Sequence, residues 1–354
     1  MSEVAIGLIG LAALILLFLT GIELGFAMAL VGLVGFGAIV SFPAAFNLLA
    51  KDLYDVFASY GFTVIPLFIL MGQVAYNAGI AKRLFDSSYR FIGHIPGGLA
   101  MATVAGATAF KAICGSSPAT AATFASVAVP EMDRYGYDKR LSTGVVASVG
   151  TLGILIPPSV TLIVFGILTE QSIGKLFLAG IVPGLIIAAL FALTIWVWCR
   201  LDPALGPKGE RSNWRERLAS LPELLWVALV FVLIIGGLMK GFFTPTEAGS
   251  VGTFAVILLS VAQRGLSLRG FLKSLSEALR TACMVLMLIA VTVMIGVVIP
   301  PVAMNVFVVK NITKVPFGVI YRGVLPFLAG LVLCAALLFA FPRLATWLPG
   351  LLMK

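Results

Sequence analysis

The stretch GILIPPSV at 153–160 lies in the middle of an apolar run of about 24 residues, 142–165. Pro157 and Pro158 lack amide protons, and each ring clashes with the helical turn before it, so a helix entering this run has to break. The break frees the backbone carbonyls around Gly153 to Ile156. At membrane depth such carbonyls are tolerated only where protein, water or an ion satisfies them. Carbonyl oxygen suits a hard cation such as sodium. A plain proline kink is the simpler reading of one proline, but this pattern occurs twice. GVVIPPVA at 296–303 repeats the glycine, three apolar residues and Pro-Pro, and at the same displacement of 143 positions GIVPG at 180–184 falls on GVLPF at 323–327. Two spaced matches at one displacement indicate an internal duplication.

The bulk composition sets the solvent. Hydrophobic residues make up 60% of the 354 and charged residues 11%, with a mean hydropathy of +1.11, far outside the range of soluble domains. Apolar stretches at 5–20, 25–43, 61–77, 98–130, 142–165, 176–199, 222–239, 246–262, 281–309 and 323–341 predict roughly nine to eleven membrane segments. The expected class is an all-α polytopic membrane protein. The residues before the first stretch, MSEVA, carry an acid and no base, which favours a retained helix over a signal peptide. Cys114, Cys199, Cys283 and Cys334 fall in apolar segments without metal-ligand spacing and read as small packing residues.

A net charge of +9 could suggest nucleic acid, but the basic residues sit in short connections, as the positive-inside rule requires. Arg200, Lys208, Arg211, Arg215 and Arg217 mark one such connection, and Arg264, Arg269, Lys273 and Arg280 another, with two spans between them. Lys82, Arg83 and Arg90 belong on the same side if 98–130 enters and leaves by one face. A Gly-Ser-Ser-Pro break at 115–118 makes 98–130 a candidate re-entrant hairpin. Its arms are rich in small residues, which allow close packing.

The duplicated halves are unequal. From Gly25 to the first Pro-Pro takes 132 residues, and from Thr246 to the second only 54, so roughly 78 residues, including the second hairpin, have no counterpart. Charge gives the same hint: a single crossing over 281–309 would leave Lys310, Lys314 and Arg322 outside. An odd number of crossings lost near Val293 and Met294 would account for this.

Several residues could carry chemistry. The second hairpin arm should begin at Ser117 or Pro118, and amide protons at a helix start favour an anion. The hydroxyls of Ser116, Ser117 and Thr120 can bond a carboxylate or help ligate sodium. A simple capped turn is the competing reading. Lys111, four residues before the tip, either attracts an anionic substrate or snorkels to the interface. Glu247 reads as a structural residue in the first turn of a helix capped by Thr244 or Thr246. His94 reads as interfacial, and no His, Cys or acidic cluster suggests zinc or a catalytic triad. An intramembrane enzyme using Ser116 or Ser117 is disfavoured because no base is evident, and phosphate-binding glycine loops are absent.

These motifs resemble the large membrane subunit of tripartite ATP-independent periplasmic (TRAP) transporters. CGSSPATAAT at 114–123, PEMDRYGYDKR at 130–140, GILIPPSV, GIVPG, TPTEAG at 244–249 and the terminal IPPVAMNVF and RGVLPF follow the family's order. The resemblance implies an inverted-repeat, elevator-type fold in which re-entrant hairpins and Pro-Pro broken helices move against a scaffold. Residues 1–97 would hold scaffold helices and the first arm, and 98–200 the first transport repeat. Residues 201–280 would hold the linker, scaffold helices and second arm, and 281–354 a truncated second repeat with its broken helix at 296–301. It implies sodium-coupled import, across the bacterial inner membrane, of an organic acid such as a C4-dicarboxylate or sialic acid. A small four-helix membrane subunit and a periplasmic solute-binding protein would be partners, with no nucleic acid and no cofactor besides the coupling ion. Ser116, Gly153, Ile156 and Pro157 would belong to one sodium site, Gly296, Val298 and Pro300 to a second, and Ser116, Ser117 and Thr120 to the substrate. Ile299 and Ala303 stand where the family reads Thr and Gly. The alternative is a deletion product of such a subunit that inserts without transporting.

Overall fold

The computed structural model describes residues 3–20, 22 and 24–295, with single positions at 313, 315, 316, 319, 320, 333 and 337. The described residues are organised as helices and connecting turns. Gly296, Val298 and Pro300, and with them the second broken helix, lie outside the described residues. Chain contacts define two units, one of Met1–Pro66 with Ser276–Val302 and one of Leu67–Leu275 with Ala303–Lys354.

In the first unit, α1 (Glu3–Leu19), α2 (Leu24–Ile39) and α3 (Phe42–Ala58) pack in sequence. Leu14, Ala27, Met28 and Ala29 form their buried core, flanked by Leu17, Val31 and Leu49. The α3 helix was not among the expected apolar stretches, because Lys51, Asp52 and Asp55 make it amphipathic. Ser41 starts it, its hydroxyl accepting from the Ala44 amide at 3.3 Å. A 3-10 turn at Tyr60–Thr63 leads into α4 (Val64–Asn77).

The second unit continues with α5 (Ile80–Ile92), an amphipathic helix, and then α6 (Gly98–Lys111) and α7 (Ser117–Arg134). Next come α8 (Lys139–Gly150) and α9 (Val160–Leu168). Three long helices follow, α10 (Ile173–Leu201), α11 (Trp214–Met239) and α12 (Pro245–Ala262). The last, α13 (Leu268–Ile295), begins in this unit and runs as one helix through Val293 and Met294.

Four helical spans among the described residues are long and apolar enough to cross a bilayer: Tyr60–Asn77, Ile173–Leu201, Trp214–Met239 and Pro245–Ala262. They coincide with expected segments. Large apolar side chains on their outer faces are exposed, including Leu225, Leu229 and Val232 on α11 and Phe254 and Leu258 on α12. Such surface is stable only against lipid or another protein.

The stretch 98–134 folds as a helical hairpin. α6 and α7 pack together and meet at the turn 112–116, and their far ends are joined where the Leu99 amide donates to Tyr137 Oη at 3.1 Å. The second arm runs past Pro130, which it accommodates as an internal proline. The connection after α10 folds back on this base. Gly97 N donates to Gly206 O, Gly209 N to Gly93 O and Tyr137 Oη to Pro207 O, each at 2.9 Å. Arg83 on α5 reaches Glu223 on α11 at 3.1 Å and Gln263 after α12 at 2.7 Å, and Arg90 donates to Glu216 O at 3.1 Å. Arg83 and Arg90 of α5 are thus tied to the start of α11 and the end of α12.

Candidate functional site

Helix α8 stops at Gly150, a 3-10 turn covers Thr151–Ile154, and regular helix resumes at Val160. The break is therefore wider than the carbonyls of 153–156 alone. Ser159 restarts the chain: its hydroxyl donates to Ile154 O at 2.9 Å and accepts from the Leu162 amide at 3.4 Å. One buried side chain thereby satisfies a freed carbonyl and caps a helix.

The hairpin tip lies directly on this break. Val160 N, at the start of α9, donates to Gly115 O at 3.3 Å. A Cβ on Gly115 would stand 3.0 Å from Pro158 O, so any larger residue at the turn would crowd the break. A Cβ on Gly153 would overlap the Lys111 Nζ and come 2.9 Å from Ser117 Oγ. The substrate and first-site residues expected from the sequence, Ser116, Ser117, Thr120, Gly153, Ile156 and Pro157, thus lie on two segments packed tip to break.

Their roles differ in detail. Ser116 is the N-cap of α7, its hydroxyl accepting from Ala119 N at 3.3 Å, one residue before the expected helix start. Its carbonyl accepts from Lys111 Nζ at 2.9 Å, from Thr120 N at 3.1 Å and from Thr120 Oγ1 at 3.0 Å. Thr120 is fully buried, and its hydroxyl proton stays within the hairpin. Ser116 and Ser117 are only partly buried. Lys111 does not snorkel: it is completely enclosed and folds back on the tip.

Two contributors were missed from the sequence. On α10, a Cβ at Gly180 would run into Leu155 O and one at Gly184 would meet the Ile156 side chain at 2.5 Å. The glycines of GIVPG therefore form the groove that receives the broken segment. Their i, i+4 spacing was the available signal, since it places both on one helix face. On α4, a Cβ at Gly72 would lie 2.8 Å from Cys114 Sγ, so a third element approaches the tip closely. Glu247 is structural, as expected. Thr244 N donates to its carboxylate at 2.8 Å and Glu247 N to Thr244 Oγ1 at 3.3 Å, a reciprocal cap for α12.

Fold and site together define a multi-pass α-helical membrane protein in which a hairpin tip is seated on a helix interrupted by Pro-Pro. The chain belongs to the family of the DctM component of tripartite ATP-independent periplasmic transporters, whose family model matches residues 11–298 and 287–344. It is similar to the C4-dicarboxylate TRAP transporter large permease protein DctM of Pseudomonas aeruginosa, with 39% identity over 249 residues, covering 70% of this chain and 58% of that protein. It is also similar to the 2,3-diketo-L-gulonate TRAP transporter large permease protein YiaN of Escherichia coli, with 34% identity over 275 residues, 77% of this chain and 64% of the relative. In these matches the chain spans less than two thirds of the relatives' length. A longer match, 28% identical over 416 residues, joins 95% of this chain to 96% of the sialic acid TRAP transporter large permease protein SiaM of Vibrio cholerae. That aligned length exceeds the chain's own 354 residues, so SiaM carries internal sequence with no counterpart here. The two stretches matched by the family model meet around Val293 and Met294, where the sequence places the loss.

Proposed function

We propose that this chain is the large permease subunit of a sodium-coupled secondary transporter that imports an organic acid across the bacterial inner membrane. The substrate class is a small carboxylate, as named for the C4-dicarboxylate and sialic acid relatives. A periplasmic binding protein delivers it, and a small four-helix membrane subunit completes the assembly. In this reading 98–200 is a moving transport repeat with a re-entrant hairpin, working as an elevator against scaffold helices in 1–97 and 201–280. The basic connections of the second unit face the cytoplasm.

The observation that carries the reading is the seating of the hairpin tip on the Pro-Pro break. It concentrates backbone carbonyls, hydroxyls and a helix N-terminus at one buried corner, a donor set that suits a monovalent cation and a carboxylate side by side. Ser116, Gly153, Ile156 and Pro157 would hold the sodium ion, and Ser116 and Ser117 would face the substrate, with the buried Thr120 behind them bonded to the Ser116 carbonyl. Gly296, Val298 and Pro300 would form the second ion site. Sodium, when bound, supplies the coupling charge that ties substrate movement to the ion gradient.

Proteoliposomes containing the chain with its small subunit and binding protein test this. Uptake of a labelled carboxylate is expected only with an inward sodium gradient, and uptake that persists when choline replaces sodium overturns the coupling. A second reading, a non-transporting deletion product, draws on the division of the family match into two stretches that overlap around Val293 and Met294. Absence of uptake from the assembled system, restored when about 78 residues are inserted at that junction, would establish it. The match of the family model to most of the chain favours the transporter.

A further inference from the structure

We infer that the Lys111 ammonium is the resident cation of the corner between hairpin tip and broken helix, and that a sodium ion binds there only by displacing it. This deepens the sodium-coupled reading above, on which it rests, and names the residue that controls ion entry.

Lys111 ends α6 and is fully buried. Among the described residues no carboxylate pairs with it, and its hydrogen-bond acceptor is the Ser116 carbonyl at 2.9 Å. Buried charges are ordinarily neutralised by an opposite charge. Here the charge rests on a backbone carbonyl, as monovalent cations do in selectivity filters. The space it fills exists because residue 153 is glycine: a Cβ there would overlap the Nζ. The two residues that meet the ammonium, Ser116 and Gly153, are both among those assigned to the first sodium ion.

Exclusion follows from this geometry. An ammonium and a sodium ion within a few ångströms repel strongly where water is scarce, and both draw on the Ser116 carbonyl. The lysine is tethered, so its concentration at the corner is high at all times, and sodium competes against an intramolecular ligand. Its flexible four-carbon stem lets the ammonium withdraw without unfolding α6.

Sodium binding to the purified full chain, read with radioactive sodium, tests the inference. Lys111→Met keeps the stem and removes the charge, and Lys111→Gln keeps a hydrogen-bond donor. Both variants are expected to bind sodium at least about tenfold more tightly than wild type or to bind one additional ion. A second measurement needs no variant: acetylation of Lys111 by acetic anhydride, read by peptide mass spectrometry, is expected to run severalfold faster in saturating sodium than in choline. Unchanged sodium binding in folded variants overturns the inference, as does equal protection of wild-type Lys111 in both salts. Sodium-driven uptake combined with either of those results removes the inference and leaves the proposed function standing. Sodium-independent uptake removes the coupling itself.

Discussion

The Lys111 ammonium occupies the volume that a side chain on Gly153 would need. One residue ends the first arm of the hairpin and the other lies in the broken stretch, so the two irregular segments of the second unit meet at this pair.

Gly153→Ala is expected to separate them. Its methyl group would take the place of the Lys111 Nζ and crowd Ser117 Oγ at 2.9 Å, so the ammonium has to leave the corner. Because both contacts are with side-chain ends, the cost should fall at the low end of overpacking, about 1 kcal/mol. A lower thermal midpoint in detergent and a loss of uptake are the expected results. A variant with wild-type stability and uptake would show that the tip and break do not need their observed contact.

Gly180→Ala and Gly236→Ala form a matched pair. At Gly180 the methyl would run into the Leu155 carbonyl oxygen, a backbone atom that cannot rotate away, whereas at Gly236 nothing lies within 4 Å. Gly180→Ala should destabilise by about 1–3 kcal/mol. Gly236→Ala should be neutral or stabilise α11 by up to about 1 kcal/mol. Thermal unfolding of the two variants side by side checks the ranking, and equal midpoints would contradict the groove assigned to α10.

Thr244→Ala removes one half of the reciprocal cap on α12 and should cost about 1 kcal/mol. Hydrogen exchange is the discriminating measurement. Faster exchange confined to the first turn of α12 is expected, and protection equal to wild type would mean that the cap contributes nothing.

Acid sensitivity has a local source at the base of the hairpin. Asp138 caps α8, and its carboxyl is held below the ordinary value of 3.8, first by hydrogen bonding from the Arg140 side chain and then from the Arg140 amide. A carboxylate depressed in the folded state contributes stability that is present above the unfolded value and lost as pH falls through the folded one. Wild type should therefore lose midpoint temperature as pH drops below about 4. Asp138→Asn keeps a capping oxygen but should flatten that dependence. The same acid slope in both proteins would rule Asp138 out as its source.

Much of this protein was written in its sequence because covalent chemistry acts locally. Two adjacent prolines without amide protons ruled out a regular helix through Pro157, and Gly115 to Pro118 turned the chain, whatever surrounded them. Apolar runs chose helices because a bilayer leaves no other way to pair the backbone. The amphipathic α3 escaped this reading, since a run interrupted by Lys51, Asp52 and Asp55 falls below the density that marks a span.

What tertiary structure decided is which group fills each gap those local rules opened. Lys111 could have turned to the interface or to a substrate, and only the approach of Gly153 made a place for its ammonium beside Ser116. What the α10 glycines receive, and the folding of 202–213 onto the hairpin base, are likewise long-range: the glycine spacing marks a face, and only the close approach of Leu155 and Ile156 fills it. A sequence announces where a helix must break; packing at ångström distances decides what stands in the break.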